Sequence, residues 1–453
     1  MLQFTKNFNC CKTVTCESFG DSESKHYIHR SERLGYLSTE CTLCGSHPPW
    51  INNQLIKEVL AEKLGQYFGQ KVVGCKQCRP YFFDNASPAE KLHGFTSAGT
   101  QRKRCAQCRA IFTLPAFKNI DALKKVLTCL VEKKEIKAAI KESGLAARLY
   151  YFYLNKLALI FANFSRLNEQ QVLHREYLGI HSEGRFFELA HQRGFYALFS
   201  AEIDSGYILL QSNNLTKLTF LDTFIYHETE NTMLDNIDSN DIEAVLLGRY
   251  QGILKRNHFE QLIIGNAKPI AKCHAIYPDK AVYVHFQLLR LMTANATRYE
   301  HYIEHESVLR AASLMSSLAD IKKGTANIYY FLPFISEDHQ LSGKKLGWWN
   351  DIWFSNKLGA FSALTGKLKR DPTFNLQKGS AIEDFYCYLK GNLNNNVNSK
   401  KVIDDSSEVF RVLYNYCHIE HTQTPACSLG LAHQVYRPEQ LLEIAIKQLT
   451  EQQ

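Results

Sequence analysis

The 453-residue chain has no apolar run that approaches the length of a membrane span, which argues against a helical membrane protein. Met1-Leu-Gln-Phe-Thr-Lys passes directly into polar residues, so no cleavable leader is expected. Acidic residues are not in surplus: 45 Asp and Glu stand against 53 Lys and Arg, for a formal net charge of +8. Regular cysteine spacing is missing from the later chain. Of 14 cysteines, Cys129, Cys273, Cys387, Cys417 and Cys427 are scattered in apolar or mixed surroundings and read as reduced core thiols. These absences lead to the expectation of a reduced, cytoplasmic protein. An apolar content of 45% and a charged content of 22% are those of ordinary globular domains, and the length predicts two to four of them.

What is present concentrates near the start. Cys75-Lys-Gln-Cys78 and Cys105-Ala-Gln-Cys108 supply four thiolates, the soft tetrahedral set that zinc prefers. Two residues between cysteines let both sulfurs of one knuckle reach one ion. The alternative for these four is burial or disulfide bonding. Cys41-Thr-Leu-Cys44 is a third knuckle, completed either by His26 and His29 or by other partners, and Cys10, Cys11 and Cys16 lack decisive spacing.

Arg102, Lys103, Arg104 and Arg109 abut the second knuckle, on a surface suited to phosphates. From Gln101 to Lys141 eleven basic residues face three acidic ones, an excess equal to the net charge of the whole chain. A basic module on a near-neutral remainder points to nucleic acid, with a solvated lysine-rich helix as the plain alternative. Beyond Asn119 the apolar spacing is helical, through Leu123, Leu127 and Leu130, then Ile136 and Ile140. Ser143-Gly144-Leu145 then makes a turn into a third helix from Arg148 to Leu159, the signature of a helix-turn-helix. Arg148, Tyr150, Tyr151 and Tyr153 are candidate groove contacts, with a core role expected for two of the tyrosines.

After His174 the pattern turns to β. Tyr177 to His181, Phe195 to Ile203 and Tyr207 to Gln211 read as strands, with Asp204-Ser205-Gly206 as a turn. Gln261 to Gly265 and Ala281 to His285 read as further strands, residues 290–320 as helix, and 325–380 as irregular. The order fits an RNase H-like fold. The expected architecture is therefore multidomain α+β: an unassigned segment 1–40, a zinc-binding region 41–118 with a ribbon over 75–112, and a helix-turn-helix at 119–165. An RNase H-like α/β domain with C-terminal helices follows at 174–440, with the irregular insertion around 325–380.

Several of these residues carry a likeness. His93-Gly94, Gly99, Gln101-Arg102, Arg104-Cys105, Cys108 and Phe112 resemble the zinc ribbon of bacterial insertion-sequence transposases, although Lys103 stands where an aromatic is usual. Leu413-Tyr414-Asn415, His421, Thr424-Pro425-Ala426 and Leu429-Gly430-Leu431 resemble their tail, and Ile382-Glu383-Asp384-Phe385 the segment with their last catalytic acid. The resemblance implies an enzyme that cuts and joins double-stranded DNA as a homo-oligomer, with structural zinc and a carboxylate triad holding two Mg²⁺ ions. In that family the first acid belongs at the end of the first strand, the second after the fourth, and the third on a following helix. This chain matches the pattern poorly. Ile180-His181-Ser182-Glu183 offers Ser182 or a displaced Glu183 for the first acid, Asn266 stands where the second is expected, and Glu383 fits the third. A catalytically inactive DNA-binding regulator derived from such an enzyme is the alternative, and an unrelated zinc-ribbon protein whose later half binds protein is a third reading.

Overall fold

In a computed structural model, the residues described are 6–69, 74–78, 81, 89–113, 117, 119–173, 175–219, 241–262, 268, 270, 273–333, 341–347, 351–356, 359–366, 381–393, 397–419 and 422–451. The N-terminal part holds a hairpin, β1 (Tyr27–Ser31) and β2 (Ser38–Cys41), followed by α1 (Asn53–Tyr67). The Asn52 side chain accepts from the Leu55 amide and so caps α1, whose Ile56, Val59, Leu60 and Leu64 form its buried stripe. Strands β3 (Glu90–Phe95), β4 (Gln101–Cys105) and β5 (Ile111–Thr113) make a separate antiparallel sheet. Helices α2 (Ile120–Val131), α3 (Ile136–Ser143) and α4 (Ala147–Leu173) follow, and Gly144 closes α3 at a φ of 66° that few side-chain-bearing residues adopt.

The rest of the chain builds one large sheet. β6 (Tyr177–Leu189), β7 (Arg193–Glu202) and β8 (Ile208–Asn213) form an antiparallel meander, followed by β9 (Leu215–Thr216), α5 (Ile242–Leu254) and β10 (His274–Ala275). Then come α6 (Pro278–Met292), β11 (Arg298–Ile303), α7 (Ser307–Ser316), α8 (Leu318–Lys323) and β12 (Ala326–Pro333). β13 (Ser342–Leu346), β14 (Asp351–Asn356) and β15 (Gly359–Ala363) complete the strands. Helices α9 (Ala381–Asn392), α10 (Lys400–Cys417), α11 (Pro425–Ser428) and α12 (Pro438–Glu451) close the chain. The architecture is mixed α+β, with an eight-stranded sheet in the order β13-β14-β15-β12-β11-β6-β7-β8. β11 runs parallel to both β6 and β12, and the other pairings in the sheet are antiparallel.

Neighbouring residues of β7 show how the sheet is covered. Phe199 meets Phe385 of α9, while Ser200, pointing to the opposite face, bonds His285 of α6. Under α6 a polar chain crosses four strands. Ser212 Oγ lies 2.8 Å from His285 Nδ1, and His285 Nε2 lies 2.8 Å from Ser200 Oγ. Ser200 Oγ is 2.6 Å from Ser182 Oγ, which is 2.8 Å from His301 Nε2. On the α9 side, Arg411 of α10 is fully buried and bonds Glu169 of α4 at 2.9 Å and the Ile208 carbonyl of β8 at 2.9 Å. That knot fastens α4 to the sheet.

Several expectations need correction. Ala281 to His285 lies inside α6, because Pro278 starts a helix buried almost all round, which alternation cannot distinguish from a buried strand. The helix read over 290–320 is interrupted by β11, whose Arg-Tyr-Glu-His-Tyr-Ile hides its strand character behind charged residues. The irregular stretch 325–380 contains all of β12, β13, β14 and β15. The third helix of the helix-turn-helix runs on to Leu173 and does not stop near Leu159, since its second half packs on α10. Gln261 and Leu262 lie outside any strand, and residues 263–267, with Asn266, are outside the described residues.

Burial holds His285 and His301 neutral, pushing each down to about 3. Both titrate near 6.5 when unfolded, so below that pH the unfolded chain takes up protons that the fold refuses. Stability is therefore complete above about pH 6.5 and is lost as pH falls towards 3. Denaturant titrations at pH 5 and pH 8 are expected to differ by up to about 4 kcal/mol, less in the double variant His285→Gln, His301→Gln.

Candidate functional site

Two four-cysteine groups can hold a metal such as zinc. The first joins Cys11, Cys16, Cys41 and Cys44, and the second joins Cys75, Cys78, Cys105 and Cys108; within each group the sulfurs all lie within 4.8 Å of one another. Individual separations are 3.5 Å for Cys11–Cys44, 3.8 Å for Cys16–Cys41, 3.5 Å for Cys75–Cys108 and 3.7 Å for Cys78–Cys105. A tetrahedral ion with Zn–S bonds of ~2.3 Å requires edges of about 3.8 Å, so the spacing suits zinc. The partners of Cys41 and Cys44 are thus Cys11 and Cys16, in place of the alternative His26 and His29. His29 instead packs its ring edge-on to Tyr27 and Trp50.

The knuckles at Cys41 and Cys105 share one turn. The amide of Gly45 donates to the Cys41 carbonyl at 2.8 Å, and that of Arg109 to the Cys105 carbonyl at 3.0 Å. Each fourth residue sits at positive φ, 69° for Gly45 and 62° for Arg109. A glycine is at ease there, whereas an arginine costs about 1 kcal/mol. Crowded sulfurs disfavour four free thiolates: the neighbouring Cys108 sulfur pushes Cys78 up to about 12. Desolvation also opposes ionisation of Cys44, but the Ser46 hydroxyl and amide bring it down to about 6. A divalent cation resolves that mutual repulsion.

The basic residues divide between the faces of the β3–β5 sheet. Register places Arg104 between Lys91 and Ile111, and Arg102 beside Thr113, all exposed. Lys103 lies on the other face, between Leu92 and Phe112, with its ammonium 3.1 Å from the Glu90 carboxylate. Arg102, Arg104 and Lys91 therefore share one exposed face, which Lys103 does not join, and Arg109 is exposed in the turn that follows Cys108. On α4, Arg148 and Tyr151 are exposed, while Tyr150 and Tyr153 are buried in the core.

The carboxylates meet at β6. His181, Glu183 and Arg185 alternate onto one face of that strand. Glu183 is buried, with its Oε1 3.0 Å from His181 Nε2 and its Oε2 paired to Arg185. The same guanidinium reaches Glu383 of α9 at 3.1 Å and Glu304, the residue directly after β11, at 3.8 Å. Glu304 also lies 3.5 Å from Arg249 of α5 and accepts from the Gly184 amide at 3.3 Å. Gly184 is required here, because a Cβ would overlap the Tyr196 hydroxyl. Desolvation would raise Glu183, yet His181 and Arg185 hold it down to about 2. Burial raises Glu304 against the pull of Arg185 and Arg249.

Glu183 and Glu383, far apart in sequence, are thus brought to one guanidinium. Glu304 and Arg185 complete the group, and sequence reasoning missed both. Arg185 carried a usable signal, lying two residues from Glu183 on the same strand face. Glu304 carried one only once β11, and not residues 261–265, is recognised as the strand parallel to β6. Cys11 and Cys16 were obscured by a four-residue gap that is longer than that of the other knuckles.

Removing the guanidinium by Arg185→Leu leaves Glu183 buried with less compensation. Urea denaturation is expected to show a loss of about 2 kcal/mol or more, given that Arg185 is one-quarter exposed. An unchanged midpoint would mean that Arg185 does not neutralise the buried acid. Comparison with protein-family models, with curated proteins and with solved structures returns no match to this chain.

Proposed function

We propose that this chain is a transposase-like DNA-binding protein of the insertion-sequence type, with an RNase H-like body and a zinc ribbon that docks on the duplex. The observation that carries this reading is the meeting of Glu183, Glu304 and Glu383. They arise from the first strand of an antiparallel meander, from the end of the next strand set parallel beside it, and from a helix that follows the sheet. Glu304 and Glu383 stand at the positions that the resemblance assigns to the second and third acids, with Glu304 in the place first given to Asn266, whereas Glu183 lies in the middle of the first strand and not at its end.

The donor set consists of hard carboxylate oxygens, which suit Mg²⁺. As the site stands their oxygens do not gather within 4.8 Å of one another, since Arg185 lies between them. Glu183, Glu304 and Glu383 would therefore hold the metal only after that guanidinium moves away; magnesium bound there would activate an attacking oxygen and stabilise the leaving one. Arg249 sets the position of Glu304, and His181 that of Glu183. Arg185 lies among the three acids and pairs with each of them. This specific observation favours the second reading, a regulator that keeps the fold and DNA docking while an internal cation neutralises the former metal site.

Docking is assigned to Lys91, Arg102, Arg104 and Arg109, with Arg148 and Tyr151 at the start of α4 as groove contacts. Cations neutralising four phosphates give a slope of log K against log salt of about −3.6. Arg104→Ala is expected to make that slope shallower by about 1, and a salt-independent affinity would remove phosphate docking. Arg109→Gly separates fold from function: relief of the positive φ stabilises the ribbon by up to about 1 kcal/mol while DNA affinity falls.

Catalysis is tested by strand cleavage and transfer with Mg²⁺ or Mn²⁺ on DNA bearing the sequences that flank the coding region. Activity in the natural chain, lost in Glu304→Gln and in Glu383→Gln, supports the enzyme. Salt-sensitive binding without any strand cleavage supports the regulator. Full activity in both variants would remove the carboxylate site.

A further inference from the structure

We infer that the two four-cysteine groups have separate duties: the N-terminal group is a clasp built into the large-sheet body, whereas the second holds only the projecting ribbon. This inference does not depend on whether the chain acts on DNA.

The chain on both sides of Cys11 is fastened to the body. Lys6 Nζ donates to the Ser316 carbonyl at 2.9 Å and the Met315 carbonyl at 3.4 Å, at the end of α7, where helical carbonyls lack partners within the helix. Phe8 packs its ring 5.0 Å from that of Tyr283 on α6. Cys10 is buried with its sulfur 3.4 Å from that of Met315. Lys12, directly after the ligand, is 4% exposed, with its ammonium 2.6 Å from Glu260 and 2.6 Å from the Tyr283 hydroxyl. Tyr283 donates in turn to Glu260 at 2.8 Å, closing a buried triangle. Gly20, whose amide bonds the Cys11 carbonyl at 2.9 Å, lies so close to Leu318 that a Cβ would overlap that side chain.

A buried ammonium is tolerable only while its partners are held in place. The Cys11 sulfur fixes the chain at the residue before Lys12, so a metal at Cys11, Cys16, Cys41 and Cys44 sets the geometry of the triangle and the seat of α6. The second group is placed differently. Its strands β3–β5 show solvent on both faces, with Leu92 74% and Phe95 66% exposed beside Lys91, Arg102 and Arg104. The described residues around this group meet the body at Tyr81, which bridges Gly69 just after α1, and at Phe117, and both pack against the main core. A metal there is inferred to order chiefly an exposed surface and not the seat of α6.

The test uses the full chain, zinc analysis and hydrogen exchange. The pair Cys105→Ser, Cys108→Ser is expected to lose one of two zinc ions per chain and to keep the main melting transition within about 2 °C. The pair Cys11→Ser, Cys16→Ser loses the other ion and melts more than about 10 °C lower. Since that second variant can fail to fold, chelator is also titrated into the Cys105→Ser, Cys108→Ser protein. Exchange protection across residues 278–292 is expected to fall in step with release of its remaining zinc. Lys12→Met, which removes no ligand, is expected to keep two zinc ions while lowering both the melting temperature and protection in α6. Complete zinc release with α6 still protected would overturn the inference. Equal losses of stability from the two serine pairs would do the same.

Discussion

A carboxylate in the middle of a buried strand sets the terms for everything around it. Glu183 projects from β6 with almost no exposure, and an ionised acid there needs compensation from groups fixed nearby. His181 and Arg185 supply it from the same strand face. Arg185 has more donors than one carboxylate can use: its Nε donates to Glu383 of α9, and its charge also pairs with Glu304, directly after β11, at 3.8 Å. One electrostatic requirement thus ties together three elements that are distant in sequence. Phe385 and Tyr386 of α9 add apolar packing against Phe199 of β7 and Phe187 of β6, which seats the helix bearing Glu383.

The helix α4 extends this order outwards. Over 27 residues it spans about 40 Å, and its two halves have different duties. Tyr150 and Tyr153 face α2 and its neighbours, leaving Arg148 and Tyr151 exposed. Further along, Arg166 and Glu169 enter the knot with Arg411, which is also bonded to Glu408 and to β8. Charges removed from water in this way resist partial opening, because breaking one pair strands another. The exposed start of α4 is therefore part of the same continuous helix that is pinned to the sheet.

Local chemistry was the legible part of the sequence. Asp204-Ser205-Gly206 is a turn because Gly206 supplies a φ of 71° and Glu202 accepts from the Ser205 amide at 2.9 Å, both short-range effects. The four cysteines of the ribbon were readable for the same reason, since each knuckle is a local turn. Pairing across distance was not. The partners of Cys41 lie 25 and 30 residues earlier, and only the folded chain selects Cys11 and Cys16 over the histidines. The helix α6 looked like a strand because burial on all sides erases the 3.6-residue period. β11 went unread because its Glu300 and His301 satisfy their polarity inside the protein, through the Tyr302 and Tyr177 hydroxyls and through Ser182. A misplaced fourth strand then misplaced the second acid.

The charge at the carboxylate site distinguishes the two functional readings. Glu183, Glu304 and Glu383 carry three negative charges when ionised, and Arg185 and Arg249 return two. Two divalent ions and a phosphate would bring three more positive charges, balancing the carboxylates only if both guanidinium groups cease to face them. Arg249 pairs with Glu304 at 3.5 Å from a helix outside the group, and its charge also favours ionised Glu183. Arg185 is the obstacle, since it contacts every acid and sits on the same strand as the first. An active enzyme thus requires Arg185 to turn outwards, where a phosphate is the natural partner for its planar fork. A regulator requires the opposite, because there the guanidinium keeps the buried acid ionised and α9 seated with no ion at all. Burial raises the titration of Glu304 against the pull of Arg185 and Arg249, so a cation that replaced Arg185 would have to supply at least the same pull to keep that carboxylate ionised.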